Sequence, residues 1–270
     1  AFYTLTIWAF WKSLKNGSCK WLLMSVIGFS LALGTKFNIL FLPFIILPYL
    51  VIRYKTNIIG GLHNFLKSIR KIPRRYLLVL IFSPFIVLGI FFISWPFLWQ
   101  DPFENFISVI RWYKDIGTGS ATYGYFVLGG FNLYAPIWIL ITTPPLVLVL
   151  TGVGILVAIR KRKEHEWASL LWLLWFIIPI VRVVLPNTTI YGGVRQIMEF
   201  LPAMALLAGL GATYFVKFLI FKFQIAFILV TFVFLLIPII RLHPNENVYF
   251  NFLVGGLPGA VQKNVPYWGN

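Results

Sequence analysis

Residues 223–240 of this chain, FQIAFILVTFVFLLIPII, contain no formally charged side chain. A helix needs about 20 predominantly apolar residues to cross the hydrocarbon core of a bilayer, and this stretch approaches that length. Further long stretches with few or no charges lie at 1–11, 21–35, 37–52, 76–95, 133–159, 167–185 and 197–216. The sequence therefore predicts an all-α, polytopic bundle of seven to eight transmembrane helices, the first of them cut short at the start of the chain.

The composition of the chain excludes a soluble globular domain. Apolar residues make up 60% and charged residues 11% of the sequence, whereas soluble domains average about 45–50% and 25%. The single cysteine, Cys19, excludes an internal disulfide, and no residues show the spacing of a metal site. No cofactor and no metal ligand set is predicted, and a requirement for a divalent metal is left open.

The net charge of +16 comes mainly from cations in four short connections between apolar stretches. By the positive-inside rule these connections are expected on the cytoplasmic side, so the charge indicates orientation in a membrane rather than binding to nucleic acid. They lie at 12–20, 53–75, 160–166 and 217–222. Residues 1–240 are expected to form the transmembrane bundle, and 241–270 to begin a non-cytoplasmic C-terminal segment. The chain is expected to be an internal piece of a longer protein.

The longest outward connection, 95–132, is predicted to lie at the membrane interface. Apolar side chains recur at steps of three and four between residues 103 and 113, which predicts a short amphipathic helix over 102–114. Asp101 either caps this helix ahead of Pro102 or acts as a functional carboxylate. Glu104, in the first turn, is the second acidic candidate.

Two cations at the outer ends of spans are candidates for binding an anion. Lys36, in the turn between two apolar stretches, either extends to the interface or holds an anionic head group. Arg195 follows Gly192 and Gly193 and lies four residues before Glu199. Its guanidinium either pairs with Glu199 along a helix or presents its fork of donors to a phosphate.

The segment after residue 240 combines polar groups, aromatic rings and glycines. It contains His243, Tyr249 and Asn251. This composition suits a sugar-binding surface, and it also suits a plain interfacial loop. His243 by itself indicates no metal site, because no second ligand follows at the required spacing.

In five ordered regions the sequence resembles membrane glycosyltransferases of the family 39 type. These polytopic GT-C enzymes are related to dolichyl-phosphate-mannose protein mannosyltransferases and to bacterial sugar transferases that use polyprenyl-phosphate donors. The regions are 28–38 (GFSLALGTKFN), 95–102 (WPFLWQDP), 142–145 (TTPP), 191–202 (YGGVRQIMEFLP) and the tail motifs 243–244 (HP), 249–251 (YFN), 255–256 (GG), 259–260 (GA) and 267–269 (YWG).

The resemblance implies an enzyme that moves a hexose, mannose in some relatives, with inversion from a polyprenyl- or dolichyl-phosphate donor. The acceptor is a protein, lipid or glycan on the non-cytoplasmic face, and the enzyme is a multi-pass protein of the plasma or inner membrane, or of the endoplasmic reticulum in a eukaryote. Its partners are the lipid-linked donor, the acceptor and membrane lipid, without nucleic acid.

The resemblance also implies roles for individual residues. Lys36 and Arg195 are expected to bind the donor phosphate. Asp101 and Glu104 are secondary candidates for orienting the sugar or acceptor, because the family's principal catalytic aspartate lies in a loop expected upstream of residue 1. The residues expected to line the substrate pocket are Tyr191, His243, Tyr249 and Asn251.

The chain departs from the family pattern at three positions. Gly192 and Gln196 stand where relatives often carry an acid and a histidine, and Pro266 stands where they often carry an acid. Acid–base roles are therefore not expected at these positions. Two other classes stay open: a secondary transporter, which should show inverted repeats and ionisable groups near the midplane, and a non-catalytic membrane assembly subunit.

Overall fold

The computed structural model describes residues 1–54, 73–117, 127–161, 167–186, 188, 190 and 192–263, with side chains in the helix ending at Gly117 described as far as Trp112. It divides into two units, Ala1–Ile116 and Gly117–Asn270. The described chain is helical apart from one short hairpin. The prediction of an all-α chain is thereby confirmed.

The first unit contains five helices within its described residues. They are α1 (Phe2–Asn16), α2 (Cys19–Thr35), α3 (Leu42–Arg53), α4 (Arg74–Ser94) and α5 (Pro102–Gly117), with 3-10 turns at Phe37–Phe41 and Pro96–Leu98. Gly17, at φ 58°, ends α1 in the left-handed conformation and allows the tight reversal into α2. The amphipathic helix predicted over 102–114 is present as α5.

Small residues bring α1 and α2 into close contact. A side chain at Gly28 would meet Thr6, its Cβ lying 2.9 Å from Thr6 Oγ1. The hydroxyl of Ser25 donates to the main-chain oxygen of Thr6 at 2.9 Å, and this bond is buried. Close approach through small side chains, with a hydroxyl bridging two helices, is typical of helix pairs inside membranes.

The cation-bearing ends of the first unit's helices lie together. Tyr76, near the start of α4, donates from its hydroxyl to Ser13 O at 3.1 Å, and Cys19 Sγ lies 3.4 Å from Arg75 O. The basic ends of α1, α2 and α4 therefore share one end of this unit. At the opposite end Gly34 of α2 lies against Ser94 of α4.

The second unit begins, within its described residues, with a hairpin of β1 (Val127–Leu128) and β2 (Phe131–Asn132). Gly129 and Gly130 have φ of 57° and 85°, as a two-residue turn of this kind requires. The helices that follow are α6 (Tyr134–Thr142), α7 (Pro145–Arg160), α8 (Ala168–Val184), α9 (Leu201–Val216), α10 (Phe221–Leu242) and α11 (Gly256–Gln262), with 3-10 turns at Arg195–Phe200, Glu246–Val248 and Phe252–Val254.

Helices α7 and α9 touch along their backbones. A Cβ at Gly154 would overlap the carbonyl of Leu207, and one at Gly211 would overlap the carbonyl of Leu150. At the basic end of this pair, Lys161 Nζ lies 6.0 Å from the centre of the Tyr214 ring. The amide of Gln224, in the first turn of α10, donates to Leu219 O at 2.9 Å. The described basic ends thus group together in this unit also.

Several helices have the length and composition to cross a membrane. Within the described ranges three qualify: Arg74–Ser94, Arg195–Val216 and Phe221–Leu242. The apolar stretches Cys19–Thr35, Phe37–Arg53 and Ala168–Val184 are shorter. None of the apolar window of α10, and 6% of that of α4, is buried in the protein. Because so much apolar surface needs an apolar medium, the chain is indicated to be a membrane protein.

The single span predicted over 133–159 is broken in the structure. α6 and α7 pass the length test only together, and their axes differ by 118° across the break, as in a broken span or a re-entrant loop. Thr143 is extended at φ −101°, and Pro144 follows at φ −55° and ψ 130°. Proline lacks an N–H and disfavours helical conformation in the residue before it, so the helix ends here.

Candidate functional site

A cleft of about 500 Å³ opens at the non-basic end of the first unit. It lies where α2 ends, beside the turn after α4 and one face of α5. Among its described lining residues, Lys36 is the one with a formally charged side chain. The lining residues are Leu33, Gly34, Thr35, Lys36, Phe37, Trp95, Phe97, Ser108, Val109 and Trp112.

Lys36 is positioned by the end of α2. Its N–H donates to Ala32 O at 2.9 Å as the last bond of the helix, and its backbone then becomes extended, at φ −162° and ψ 130°. Gly34 allows α4 to approach, because a Cβ there would overlap the hydroxyl of Ser94. The ammonium group therefore belongs to the rim of the cleft, with an exposed side chain at the junction of two helices.

Aromatic rings form one wall of the cleft. The Trp95 ring centre lies 5.7 Å from that of Phe37, 5.3 Å from that of Phe91 and 6.1 Å from that of Phe97. The Asn105 side-chain amide donates to Phe97 O at 2.7 Å and so ties this turn to the start of α5. Tilted and edge-to-face rings beside hydroxyls and an ammonium group suit a ligand that has both a ring face and an anion.

The two acidic candidates lie at the start of α5, outside the cleft lining. Asp101 is exposed, and its main-chain oxygen accepts from Asn105 N at 2.9 Å, which is the bond of an N-cap residue. Glu104, also exposed, occupies the first turn. Asp101 thus occupies the predicted cap position, and a further role for either carboxylate stays a prediction.

Sequence reasoning missed the side of α5 that lines the cleft. Ser108, Val109 and Trp112 face it, whereas the predicted pattern marked the apolar residues of the helix. Together with Asn105 these positions follow the i, i+3, i+4, i+7 spacing of one helical stripe. This spacing is visible in the sequence, but only the fold shows that this side of α5 faces the cleft that Lys36 lines.

The second unit holds the other predicted site residues. Arg195 is exposed and begins the 3-10 turn Arg195–Phe200. Glu199 forms an ion pair with Arg182 of α8, with Nη2 and Oε1 3.3 Å apart and side chains 16% and 7% exposed for arginine and glutamate. Tyr191, predicted to contact substrate, lies outside the described residues.

A smaller groove of about 270 Å³ lies beside the C-terminal end of α10. Glu246 and Tyr249 contribute to its lining. The exposed His243 Nδ1 lies 2.7 Å from Glu246 Oε1, and this hydrogen bond lowers the pKa of the glutamate below its ordinary value. Burial raises the pKa of the Tyr249 phenol. Glu246 therefore links the two predicted residues, because it bonds to His243 and lines the groove together with Tyr249.

Asn251 is 1% exposed and is bonded to the main chain. Its amide nitrogen donates to Leu140 O at 2.6 Å and to Thr143 O at 2.8 Å, while its amide oxygen accepts from Leu253 N at 3.1 Å. These carbonyls lie at the end of α6, where no following helical turn supplies N–H groups to bond them. In the structure, Asn251 holds the break between α6 and α7.

Metal and cofactor sites need clusters of ligating side chains. Across the described ranges, no group of three or more His, Cys, Asp or Glu side chains converges. The polar atoms that do converge, in the Lys36 cleft and the groove beside α10, suit an anion and hydroxyl groups. Comparison of the chain with protein-family models, with curated proteins and with solved structures finds no match.

Proposed function

We propose that this chain is part of a multi-pass GT-C-like membrane glycosyltransferase that uses a polyprenyl- or dolichyl-phosphate sugar. The observation that carries the proposal is the Lys36 cleft, which combines an ammonium group, an aromatic wall and hydroxyls at the end of a unit remote from its basic connections. A cleft of this volume falls in the range, about 300–1,000 Å³, of pockets that enclose small ligands.

The chemistry follows from the donor. An acceptor hydroxyl oxygen attacks the anomeric carbon of the sugar from the face opposite the phosphate and gives up its proton to a base. The bond from that carbon to the phosphate oxygen breaks, which inverts the carbon and leaves a negative charge on the lipid phosphate. In the proposal Lys36 stabilises this growing charge, and the cleft's rings stack on the sugar. Neither Asp101 nor Glu104 is assigned as the base, because neither lines the cleft.

The proposal includes seven to eight crossings, in which the shorter apolar helices also span. A 17-residue helix such as α2 is about 25 Å long. A bilayer accommodates a short helix by local thinning. In the proposal the basic ends face the cytoplasm, and the cleft and the groove beside α10 face the other side of the plasma, inner or endoplasmic reticulum membrane.

Replacing Lys36 with Gln in the complete protein, including the upstream loop expected to carry the catalytic aspartate, tests the assigned site. Loss of a charge-assisted bond worth about 1.5–3 kcal/mol should lower transfer from a polyprenyl-phosphate hexose about ten- to a hundredfold. The matched control is Lys217→Gln, which removes an exposed lysine at the basic end of the second unit. Equal transfer by wild type and Lys36→Gln would show that Lys36 does not bind the donor phosphate. Absence of transfer by the complete protein would refute the proposal that it is an enzyme.

The single cysteine provides a test of the crossings. Cys19 lies at the start of α2 and Thr35 at its end. A membrane-impermeant maleimide should label Cys19 from one side of sealed vesicles, and a Cys19→Ser/Thr35→Cys variant from the other side only. Labelling of both positions from the same side would exclude α2 as a span.

A secondary transporter is the second candidate, on the strength of the break between α6 and α7. Transporters bind solutes at discontinuous helices near the membrane midplane. Here the described part of the break is held by Asn251 and carries no ionisable side chain between Tyr134 and Pro144 other than that tyrosine. Uptake of a free sugar or sugar phosphate by vesicles containing the chain, without glycosyl transfer, would favour this candidate.

A further inference from the structure

We propose that the groove beside α10 binds a phospholipid with a primary ammonium head group, of the phosphatidylethanolamine type. An acyl chain of this lipid lies in the apolar part of the groove, and the ammonium group bonds to Glu246. The groove belongs to the second unit, whereas the Lys36 cleft belongs to the first. The inference therefore does not depend on the proposed sugar transfer.

Three segments of the chain form the groove. Pro144, at the break between α6 and α7, and Tyr249 contribute to its lining. Asn251, two positions after Tyr249, bonds to the end of α6 and so fixes this part of the chain near the break. Helix α10 adds four apolar residues at the i, i+3, i+4, i+7 spacing of one helix face: Leu235, Pro238, Ile239 and Leu242.

An acyl chain is the occupant that the surroundings of the groove favour. Helix α10 has the length and composition to cross a membrane, and none of its apolar window is buried in the protein. The groove follows the last two turns of this helix, so it opens on a surface that hydrocarbon covers. Water finds few hydrogen-bond partners between apolar walls, whereas a lipid chain removes those walls from water.

Glu246 and Tyr249 supply the polar atoms of the groove. The 2.7 Å bond to His243 Nδ1 uses Glu246 Oε1, and a carboxylate can accept about four hydrogen bonds in all. Capacity therefore remains for the N–H groups of an ammonium ion. The same histidine bond lowers the pKa of Glu246, which keeps the carboxylate ionised at neutral pH. The Tyr249 hydroxyl can donate to a head group or accept from it.

The charges at this end of α10 select among head groups. Glu246 attracts a cation, and Arg241, in the last turn of the helix, offers a partner for a phosphate. A phosphatidylethanolamine head group carries both charges, and its ammonium has three N–H donors. Phosphatidylcholine carries the same charges, but its quaternary nitrogen has no N–H to donate. Phosphatidylglycerol lacks the cation, so Glu246 would repel it. The groove should therefore prefer the ethanolamine lipid.

The test measures which phospholipid the full chain retains. The protein is reconstituted at neutral pH in bilayers of phosphatidylethanolamine and phosphatidylcholine with the same acyl chains, in equal amounts. It is then extracted in mild detergent and examined by native mass spectrometry. Wild type should prefer phosphatidylethanolamine about tenfold, as expected for a charge-assisted bond that choline cannot form. Glu246→Gln should lower this preference to about twofold, because a neutral amide oxygen is the weaker acceptor. The control Glu104→Gln, which removes an exposed carboxylate of the first unit, should keep the wild-type preference.

Two neighbouring isoleucines test the groove itself. Ile239 lines the groove and is 53% exposed, whereas Ile240, outside the lining, is 66% exposed. Ile239→Trp places a larger side chain in the groove and should lower phosphatidylethanolamine retention about tenfold, equivalent to displacing about two methylene groups. Ile240→Trp should change retention by at most about twofold. Size-exclusion profiles identical to wild type show that each variant is folded. Equal retention of the two lipids by wild type, an unchanged preference in Glu246→Gln, or equal retention by the two tryptophan variants would overturn the proposal.

Discussion

Replacing Asn251 with Ala should destabilise the second unit strongly, although its sequence context suggested a substrate contact. The change removes three hydrogen bonds to main-chain groups, two donated to the end of α6 and one accepted from Leu253. At about 1 kcal/mol for each bond, the loss is about 3 kcal/mol, and more where a carbonyl stays buried and unsatisfied. For a protein of this size that corresponds to a fall of about 6–12 °C in the thermal midpoint.

The assay is a thermal melt of the purified full chain in detergent, followed by size-exclusion chromatography and without any substrate. The matched control is Asn247→Ala, an exposed asparagine in the same segment, which should change the midpoint by no more than about 1–2 °C. If Asn251→Ala melts together with the control, the bonds to α6 do not stabilise the break. If it melts normally and abolishes transfer, Asn251 acts on substrate instead.

Three other perturbations test the packing and the charges of the second unit. Gly154→Ala places a Cβ on the carbonyl of Leu207 and should lower the free energy of unfolding by about 1–3 kcal/mol in thermal melts. Gly152→Ala, whose Cβ meets nothing within 4 Å, should not change it. Equal melting of the two variants would contradict the close approach of α7 and α9. Arg182→Gln removes the guanidinium group from the largely buried carboxylate of Glu199 and should cost about 3 kcal/mol, part of which Arg182→Gln/Glu199→Gln should restore. Additive losses would mean that the two side chains are not coupled. His243→Gln should raise the pKa of Glu246 toward its ordinary value in carbon NMR titration, because the histidine hydrogen bond lowers it. The pair stabilises the fold above the ordinary carboxylate pKa, and this contribution should disappear as the pH falls through the lowered pKa; an unchanged pKa in the variant would refute the pairing.

The helices and the grouping of their charged ends were predictable because both depend on local sequence. A long apolar stretch favours a helix, and the lysines and arginines at its ends predict which helix ends lie together. The start of α5 was equally local: Pro102 favours the first turn, and Asp101 precedes it in the cap position. These features need no knowledge of which helices are neighbours.

The contacts that build the sites were not predictable, since they join residues far apart in the chain. The sequence offered Arg195, four residues away, as one partner for Glu199, and it gave no sign of Arg182 of another helix, with which Glu199 forms an ion pair in the structure. Asn251 fits a sugar-binding composition, yet it reaches back more than 100 positions to the end of α6. The broken span over 133–159 had a visible cause in Pro144, but apolar composition masked the break.

The charge of the cleft favours one class of donor over another within the proposed function. Among the described lining residues, Lys36 supplies a single positive charge, and the neighbouring wall is aromatic. A polyprenyl-phosphate sugar is a phosphodiester with one negative charge, which one ammonium group balances. A nucleotide diphosphate sugar brings two charges, and the second would be moved next to tryptophan and phenylalanine rings without a partner, at a substantial desolvation cost. Within the proposed function, the lining therefore supports a lipid-linked donor, whose isoprenoid chain would also remain in the bilayer.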